Sequence, residues 1–320
     1  MTSNAVSVIL PVLNEEDYLV HCVEAILNQK FSGQLEVVLA IGPSIDRTME
    51  IAQRLARDDS RIKIVENPTG RTAVGLNLAI NHSKHPVIVR VDGHSNIPES
   101  YIELAVELLD RTGAVNVGGL MAAEGRTPFE RAVAGAMRSP LGVGAAKFHT
   151  GGQAGEVDTV YLGVFKRDAL IAVGGFDEHF TRAQDWELNY RLRKNGGKIY
   201  FDPRLTVTYR PRRSLKALAK QYFEYGRWRR VVSRTHKGTI NLRYLAPPMT
   251  LFGVVASVIL SFFYQILLAP ALVYFLFLIL SSFMIGKSIK EVLYLPIILA
   301  TMQMSWGAGF IFSPKRLANS

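Results

Sequence analysis

Two stretches without a single Asp, Glu, Lys or Arg, Leu245 to Gly286 and Val292 to Phe312, restrict what this chain can fold into more than any other feature. A helix crossing a bilayer needs about 20 predominantly apolar residues, and a helix satisfies its own backbone where no water can. The first stretch has room for two such helices, turning near Ala269 and Pro270, and the second for a third. Residues 245–313 therefore read as a transmembrane region of two to three helices. The last segment, with Pro296 and Gln303 inside it, is either a span or re-entrant.

The net charge of +10 suggests nucleic acid until the charges are located. Between Arg204 and Arg243 there are twelve Lys or Arg and one acid, Glu224, immediately before the first uncharged stretch. Basic residues gather there on the cytoplasmic side of membrane proteins and against anionic head groups. Residues 213–244, with Leu215, Leu218, Tyr222, Phe223 and Trp228 among the basics, read as an amphipathic interfacial helix and linker. Membrane lipids, and no nucleic acid, are the expected partners. The first residues, MTSNAVSV, have neither the basic start nor the apolar core of a secretory signal. Residues 1–212 are accordingly expected on the cytoplasmic face of a multi-pass plasma-membrane protein. With three passes Lys287 and Lys290 fall on that side, and Lys315 and Arg316 on the other. Cys22 is the sole cysteine, which excludes an intrachain disulfide and a cysteine zinc cluster; it reads as a small inward-facing helix residue.

The first 212 residues alternate. VSVILPV, LEVVLAIG, IKIVEN and VIVRVD are short β-rich runs, each followed by a segment with helical spacing, such as Leu19, Cys22, Val23, Ile26 and Leu27. This is the pattern of a doubly wound, mostly parallel α/β sheet. Further strands are expected at Ala114–Ala123 and Thr159–Leu170, a mobile loop over Gly142–Gly155, a helix from about Gln184 to Lys194, and a strand pair around KIYFDPRLTVTYR.

Ligands of such sheets sit beyond the carboxyl ends of the strands. No G-x-G-x-x-G and no Walker loop stands there, so NAD and ATP are not held in their usual manner. Acids stand there instead: Glu15 after the first strand, Asp46 after the second, and Asp92 with His94 after the fourth. If the fourth strand extends through Asp92-Gly93-His94, its alternation turns both side chains to one side, where they could share a cation and a diphosphate. The other reading makes Asp92-Gly93 a turn and His94 a solvated loop residue.

Taken together, VSVILPVLNEEDYLVHCVEAILNQ, Asp46, GRTAVGLNLAI, VRVDGH and GGFDEHFTRAQDWELNYRLRKNGGKIYF resemble family 2 inverting glycosyltransferases of the GT-A fold. Within that family they are most like the membrane-bound transferases of the succinoglycan-biosynthesis glucosyltransferase kind. The resemblance implies that Pro11, Leu13 and Glu15 contact the nucleotide and that Asp46 binds its base or ribose. It sets Asp92, Gly93 and His94 on the D-x-D metal motif, with His in place of the final Asp. Imidazole suits Mn2+ better than Mg2+, so either divalent cation is open as cofactor. Asp185 matches the general base, with Gln184 replacing the preceding Glu; Asp185 would open a helix whose dipole favours its charge, or simply cap it. Trp186 is either an acceptor platform or a core aromatic. Arg71, at the start of a helix, is a candidate for the donor phosphates. QYFEYGRWRR departs from the family's Q-x-x-R-W spacing, and Arg227 and Trp228 serve either a phosphate or the membrane interface.

The implied reaction is metal-dependent inverting transfer of a hexose from a nucleoside-diphosphate sugar, UDP-linked most simply, to a lipid-linked saccharide in extracellular polysaccharide or cell-envelope synthesis. The alternatives are a synthase that loads one sugar onto polyprenyl phosphate and, from another class, a non-catalytic membrane scaffold with the same fold.

Overall fold

The computed structural model describes residues 4–318. The chain divides into two compact units, Met1–Ala122 with Gly151–Tyr209, and Ala123–Thr150 with Arg210–Ser320. The boundary expected near residue 212 did not anticipate that 123–150 would join the C-terminal helices.

In the first unit, β1 (Ala5–Val12), β2 (Gln34–Ile41), β3 (Ile62–Glu66) and β4 (Val87–Arg90) form the parallel part of a mixed sheet, in the order β3-β2-β1-β4. Helices α1 (Leu19–Leu27), α2 (Thr48–Asp58) and α3 (Thr72–His82) make the crossovers. Val6, Val8, Ile9 and Leu10 have no exposed surface, as expected of a central strand covered on both faces. Cys22 is buried on the inner face of α1, as the spacing predicts. Chain order reverses between β1 and β4, and ligands of such sheets bind beyond the carboxyl ends of the strands at that switch point.

The chain continues through α4 (Tyr101–Thr112), β5 (Asn116–Ala123), α5 (Pro128–Arg138), α6 (Pro140–Val143), α7 (Lys147–Thr150), β6 (Gly155–Glu156), β7 (Tyr161–Lys166), α8 (Arg167–Ala172), α9 (Gln184–Lys194) and β8 (Ile199–Tyr209). β7 enters antiparallel between β4 and β5, and the sheet ends in β8 and β6. The strand pair expected at KIYFDPRLTVTYR is one strand, β8. The loop expected over Gly142–Gly155 is partly helical: Ser139 caps α6 through the Leu141 N–H at 3.2 Å, and α7 follows.

The second unit adds α10 (Leu215–Thr235), α11 (Leu242–Ser261), a 3-10 turn (Gln265–Leu268), α12 (Ala269–Ile285) and α13 (Ile289–Ile311). Among the described residues, three helices are long and apolar enough to cross a membrane: Leu242–Ser261, Gln265–Ile285 and Ile289–Ile311. The turn between the first two comes before Ala269-Pro270, because Pro270 takes the first turn of α12, where its missing N–H costs nothing. α13 runs unbroken through Pro296; its 23 residues span roughly 34 Å, enough for a hydrocarbon core of about 30 Å.

The apolar face of α10, expected to meet lipid, is covered by α13 in this unit. A Cβ on Gly226 would fall 1.9 Å from the Trp306 carbonyl oxygen, and one on Gly309 would fall 1.9 Å from that of Phe223. Such contact between helix backbones leaves no room for a methyl group. Gly226→Ala or Gly309→Ala should therefore destabilise the protein by about 1–3 kcal/mol through overpacking. Thermal unfolding in detergent tests this against Gly253→Ala, where a Cβ meets nothing within 4 Å.

Candidate active site

β4 ends in a buried cation that must be paired. Arg90 is 3 % exposed; its Nη2 and Nε donate to Asp92 Oδ1 at 3.1 and 3.3 Å, and its Nη1 donates to Asp185 Oδ1. The guanidinium carbon lies 5.7 Å from the centre of the Phe176 ring. One guanidinium thus joins a carboxylate at the end of β4 to another in the first turn of α9. Two negative charges against one positive leave the group anionic and suited to a further cation. The sequence reading missed Arg90. The signal was present, since a charge inside the apolar run VIVRVD has to find counter-charges once buried.

Asp185 lies where a helix start favours ionisation, but burial is the larger influence and pushes its pKa up. Arg90 pulls it down and Asp92 pushes it up again, so the net direction is above the ordinary aspartate value. This corrects the expectation that the helix dipole sets the charge of Asp185. Helix α9 itself is held by buried Glu187, which accepts from Arg191 Nη2 at 2.7 Å, while Arg191 Nη1 donates to the Val173 carbonyl at 2.6 Å.

Asp92 and His94 are not aligned by strand alternation. The strand stops at Arg90, and the Ser95 N–H donates to the Asp92 carbonyl at 2.8 Å, closing a turn through Gly93. Asp92 faces Arg90, whereas His94 Nδ1 donates to Glu15 Oε1 at 2.8 Å. A Cβ on Gly93 would come 3.1 Å from Glu15 Cγ, so glycine lets that carboxylate approach. Behind the turn the Cys22 thiol contacts the Asp92 carbonyl at 3.5 Å; burial, then Asp92 and Glu15, pushes its pKa up to about 12. It is inert as a nucleophile at neutral pH.

The loops after β1, β2 and β3 meet around Leu13 and Asp46. Leu13 is 41 % exposed, and its methyl groups lie beside Gly42 and Gly70. Pro11, within β1, is paired in register with Ala40. Asp46 Oδ1 accepts from Thr48 Oγ1 at 2.5 Å and Thr48 N at 3.0 Å, and Oδ2 accepts from Glu16 N at 3.3 Å. Thr48 Oγ1 in turn accepts from Glu15 N at 2.8 Å. Desolvation opposes the charge on Asp46, but these hydrogen bonds outweigh it and hold the carboxyl below its usual range.

A sheet with its switch point at β1 and β4, acids in the loops beyond those strand ends, and a buried arginine bridging two carboxylates mark the candidate site. Residues 7–174 match the model of the family described as Glycosyl transferase family 2. The chain belongs to this family.

Among curated relatives, it is 34 % identical over 249 residues to the succinoglycan biosynthesis protein ExoA of Rhizobium meliloti, covering 77 % of this chain and 76 % of that protein. It is 25 % identical over 269 residues to a Methanococcus voltae enzyme named dolichyl N-acetyl-alpha-D-glucosaminyl phosphate 3-beta-D-2,3-diacetamido-2,3-dideoxy-beta-D-glucuronosyltransferase, covering 80 % and 82 %. Among solved structures, it is similar to the mannosyltransferase PcManGT of Pyrobaculum calidifontis with GDP-Man and Mn2+, at TM-score 0.61 and 19 % identity over 97 % of this chain and 87 % of that one. It is similar also to S. aureus TarS 1-349 with UDP-GlcNAc, at TM-score 0.53 and 15 % identity over 96 % and 90 %. At these identities the structural likeness shows the fold, which is GT-A, as the resemblance implied.

In this family 2 glycosyltransferase the remaining expected site residues are distributed as follows. Gln184 is buried at the head of α9, next to Asp185. Trp186 is half-buried and stacks on Tyr190, with centroids 5.6 Å apart. Arg71 Nη2 donates to the Glu178 carbonyl, so α3 grips the GGFDEHF loop; Asn77 Nδ2 holds the same loop through the Phe176 carbonyl at 2.8 Å. Arg227 and Trp228 belong to the second unit: Arg227 Nη1 donates to Glu224 at 3.1 Å, and Trp228 is 5 % exposed.

Among the described residues no three His, Cys, Asp or Glu side chains form a closed metal cage. The donor chemistry still fits a cation that arrives with the diphosphate. Carboxylate, imidazole and phosphate oxygens together make up such a coordination sphere. A histidine whose Nδ1 bonds a carboxylate, as His94 does Glu15, is the arrangement usual behind a ligating imidazole.

Proposed function

We propose that this chain is an inverting hexosyltransferase that moves a sugar from a nucleoside-diphosphate donor, a UDP-sugar most simply, to a lipid-linked saccharide in extracellular polysaccharide or envelope-glycan synthesis. The single observation that carries the reading is the bridge of Arg90 between Asp92 and Asp185, which couples the acid on the leaving-group side to the candidate base. The succinoglycan relative supports the polysaccharide setting, and the dolichyl-linked substrate in the archaeal relative's name supports a lipid-linked acceptor. The three apolar helices support a multi-pass protein, and the basic residues just before the first of them support a cytoplasmic first unit.

In this mechanism the loops around Leu13, Pro11, Glu15 and Asp46 receive the nucleotide, and Arg71 stands at the helix start nearest the donor phosphates. Asp92 and His94 would hold Mn2+ or Mg2+, which when bound neutralises charge growing on the departing diphosphate. Asp185 takes the proton from the acceptor hydroxyl as that oxygen attacks the anomeric carbon. Its second carboxylate oxygen is the accepting atom, since Oδ1 is held by Arg90. A single displacement inverts the configuration, so an α-linked donor gives a β-glycoside. Trp186 and Gln184 flank the acceptor side.

The test is a donor screen on membranes, reading nucleoside diphosphate release with and without Mn2+, followed by analysis of the labelled lipid extract. One donor should be consumed, chelation should stop the reaction, and Mn2+ should restore it better than Mg2+ because one ligand is an imidazole. Label on a lipid-linked oligosaccharide is the expected product. A single sugar on a lipid monophosphate would instead identify a polyprenyl-phosphate sugar synthase, and no release from any donor would leave a scaffold.

A further inference from the structure

The second unit contains a cavity of about 670 Å³, within the size range of small-molecule sites. Its walls come from α6, α7, α10, α11, α12 and α13, and they are largely aromatic and aliphatic. The two ends differ. At one end Arg243 lies 5.1 Å from the centre of the Tyr244 ring and Arg229 lies 3.7 Å from it, so two guanidinium groups gather at a single tyrosine. Among the described residues no carboxylate lies within ion-pair distance of Arg243. His149, also in the wall, has a buried Nδ1 with no hydrogen-bond partner among the described residues. Burial and then the nearby Arg243 push its pKa down to about 3, so the ring is neutral and still has an N–H to donate.

Toward Leu141, Val273 and Phe277 the cavity adjoins a second hollow of about 340 Å³, which the same three residues line. This hollow follows α12 through Leu276, Leu280 and Met284 and is lined almost wholly by apolar side chains. From Val273 to Met284 the helix rises roughly 16 Å. The path therefore has the Arg243 guanidinium and the His149 N–H at its head and mostly apolar side chains along its length, on a helix apolar enough to lie in a bilayer. That is the complement of an amphiphile with an anionic head. Arginine recognises phosphate oxygens in pairs, and flat rings such as Tyr222, Phe277 and Trp306 suit the planar double-bonded units of an isoprenoid better than a flexible acyl chain.

We propose that this cavity holds the lipid part of the acceptor, an isoprenyl phosphate or diphosphate, with Arg243 and His149 at the phosphate and α12 along the chain. The assignment rests on the reading that the acceptor is lipid-linked, and it names the residues that recognise that lipid.

The experiment uses the full chain in phosphatidylcholine nanodiscs and labelled farnesyl phosphate as the probe. Saturable binding is expected. Arg243→Gln, a change at an exposed side chain, should weaken it at least tenfold, and so should Val273→Trp, which narrows the path at a position 65 % exposed and able to take the larger ring without disturbing the fold. Farnesol should bind at least tenfold more weakly than the phosphate. Unchanged affinity in both variants would overturn the assignment. So would displacement by phosphatidic acid at equal potency, which would make this a general anionic-lipid site, or displacement by inorganic phosphate alone. Binding is read without turnover. Failure of the transferase reading would appear in nucleotide release, and failure of the cavity assignment in the binding isotherm.

Discussion

Asp185→Asn is expected to lower sugar transfer by about 10²–10⁴-fold, the usual contribution of a positioned general base, while donor binding stays nearly intact. The amide retains the shape of the side chain and can still face Arg90, which also keeps Asp92. What it loses is the capacity to take a proton. The wild-type enzyme supplies a second readout. Because burial raises the Asp185 pKa, the acid limb of kcat should lie above the 3.8 of an ordinary aspartate, with rate lost as pH falls through that limb. The sign for stability is opposite. A carboxyl whose folded pKa is raised stabilises the fold below its ordinary pKa, and this contribution is lost as pH rises through the raised value. Equal activity of Asp185→Asn and wild type would remove the base assignment.

Arg90→Met should be the most damaging single change in the first unit. It removes the one cation between two carboxylates, and losing one partner of a buried pair costs about 3–5 kcal/mol because the remaining charges are left uncompensated. In whatever fraction folds, Asp185 keeps the two influences that raise its pKa, burial and Asp92, and loses the one that lowers it. The acid limb should therefore move to higher pH. Arg90→Lys keeps the charge but cannot reproduce the fork that reaches both Asp92 and Asp185, so it should fold better than the Met variant and still transfer slowly. Urea unfolding together with pH-rate profiles of the three proteins separates stability from catalysis. If the Met variant is as stable as wild type and shows the same acid limb, Arg90 does not set the state of Asp185.

The parallel part of the sheet was legible because β1, β2 and β4 are buried on both faces over most of their length, and burial of that kind leaves near-continuous apolar runs in the sequence. Helix α9 was legible, since the acids of QDWE open it and Asn195-Gly196-Gly197 follows it. The antiparallel entry of β7 between β4 and β5 was not, because pairing of strands distant in sequence leaves no local periodicity. Nor was the attachment of 123–150 to the C-terminal helices, which depends on contacts such as Arg131 with Glu291 at 3.2 Å. Asp92, His94 and Glu15 were singled out as candidates from their place at strand ends. Their mutual arrangement was misjudged, because alternation holds only while the strand lasts and Gly93 turns the chain two residues too soon. Arg90 was overlooked as part of a strand, although a buried cation demands partners and the two it finds, Asp92 and Asp185, are the two acids of the proposed mechanism.

The most direct measurement is the anomalous difference map of a crystal grown with Mn2+ and an unreactive nucleoside-diphosphate sugar. The account predicts manganese bound by Asp92, His94 and the diphosphate, with the anomeric carbon facing the Asp185 carboxylate. Manganese and diphosphate bound away from both Asp92 and His94 would contradict it.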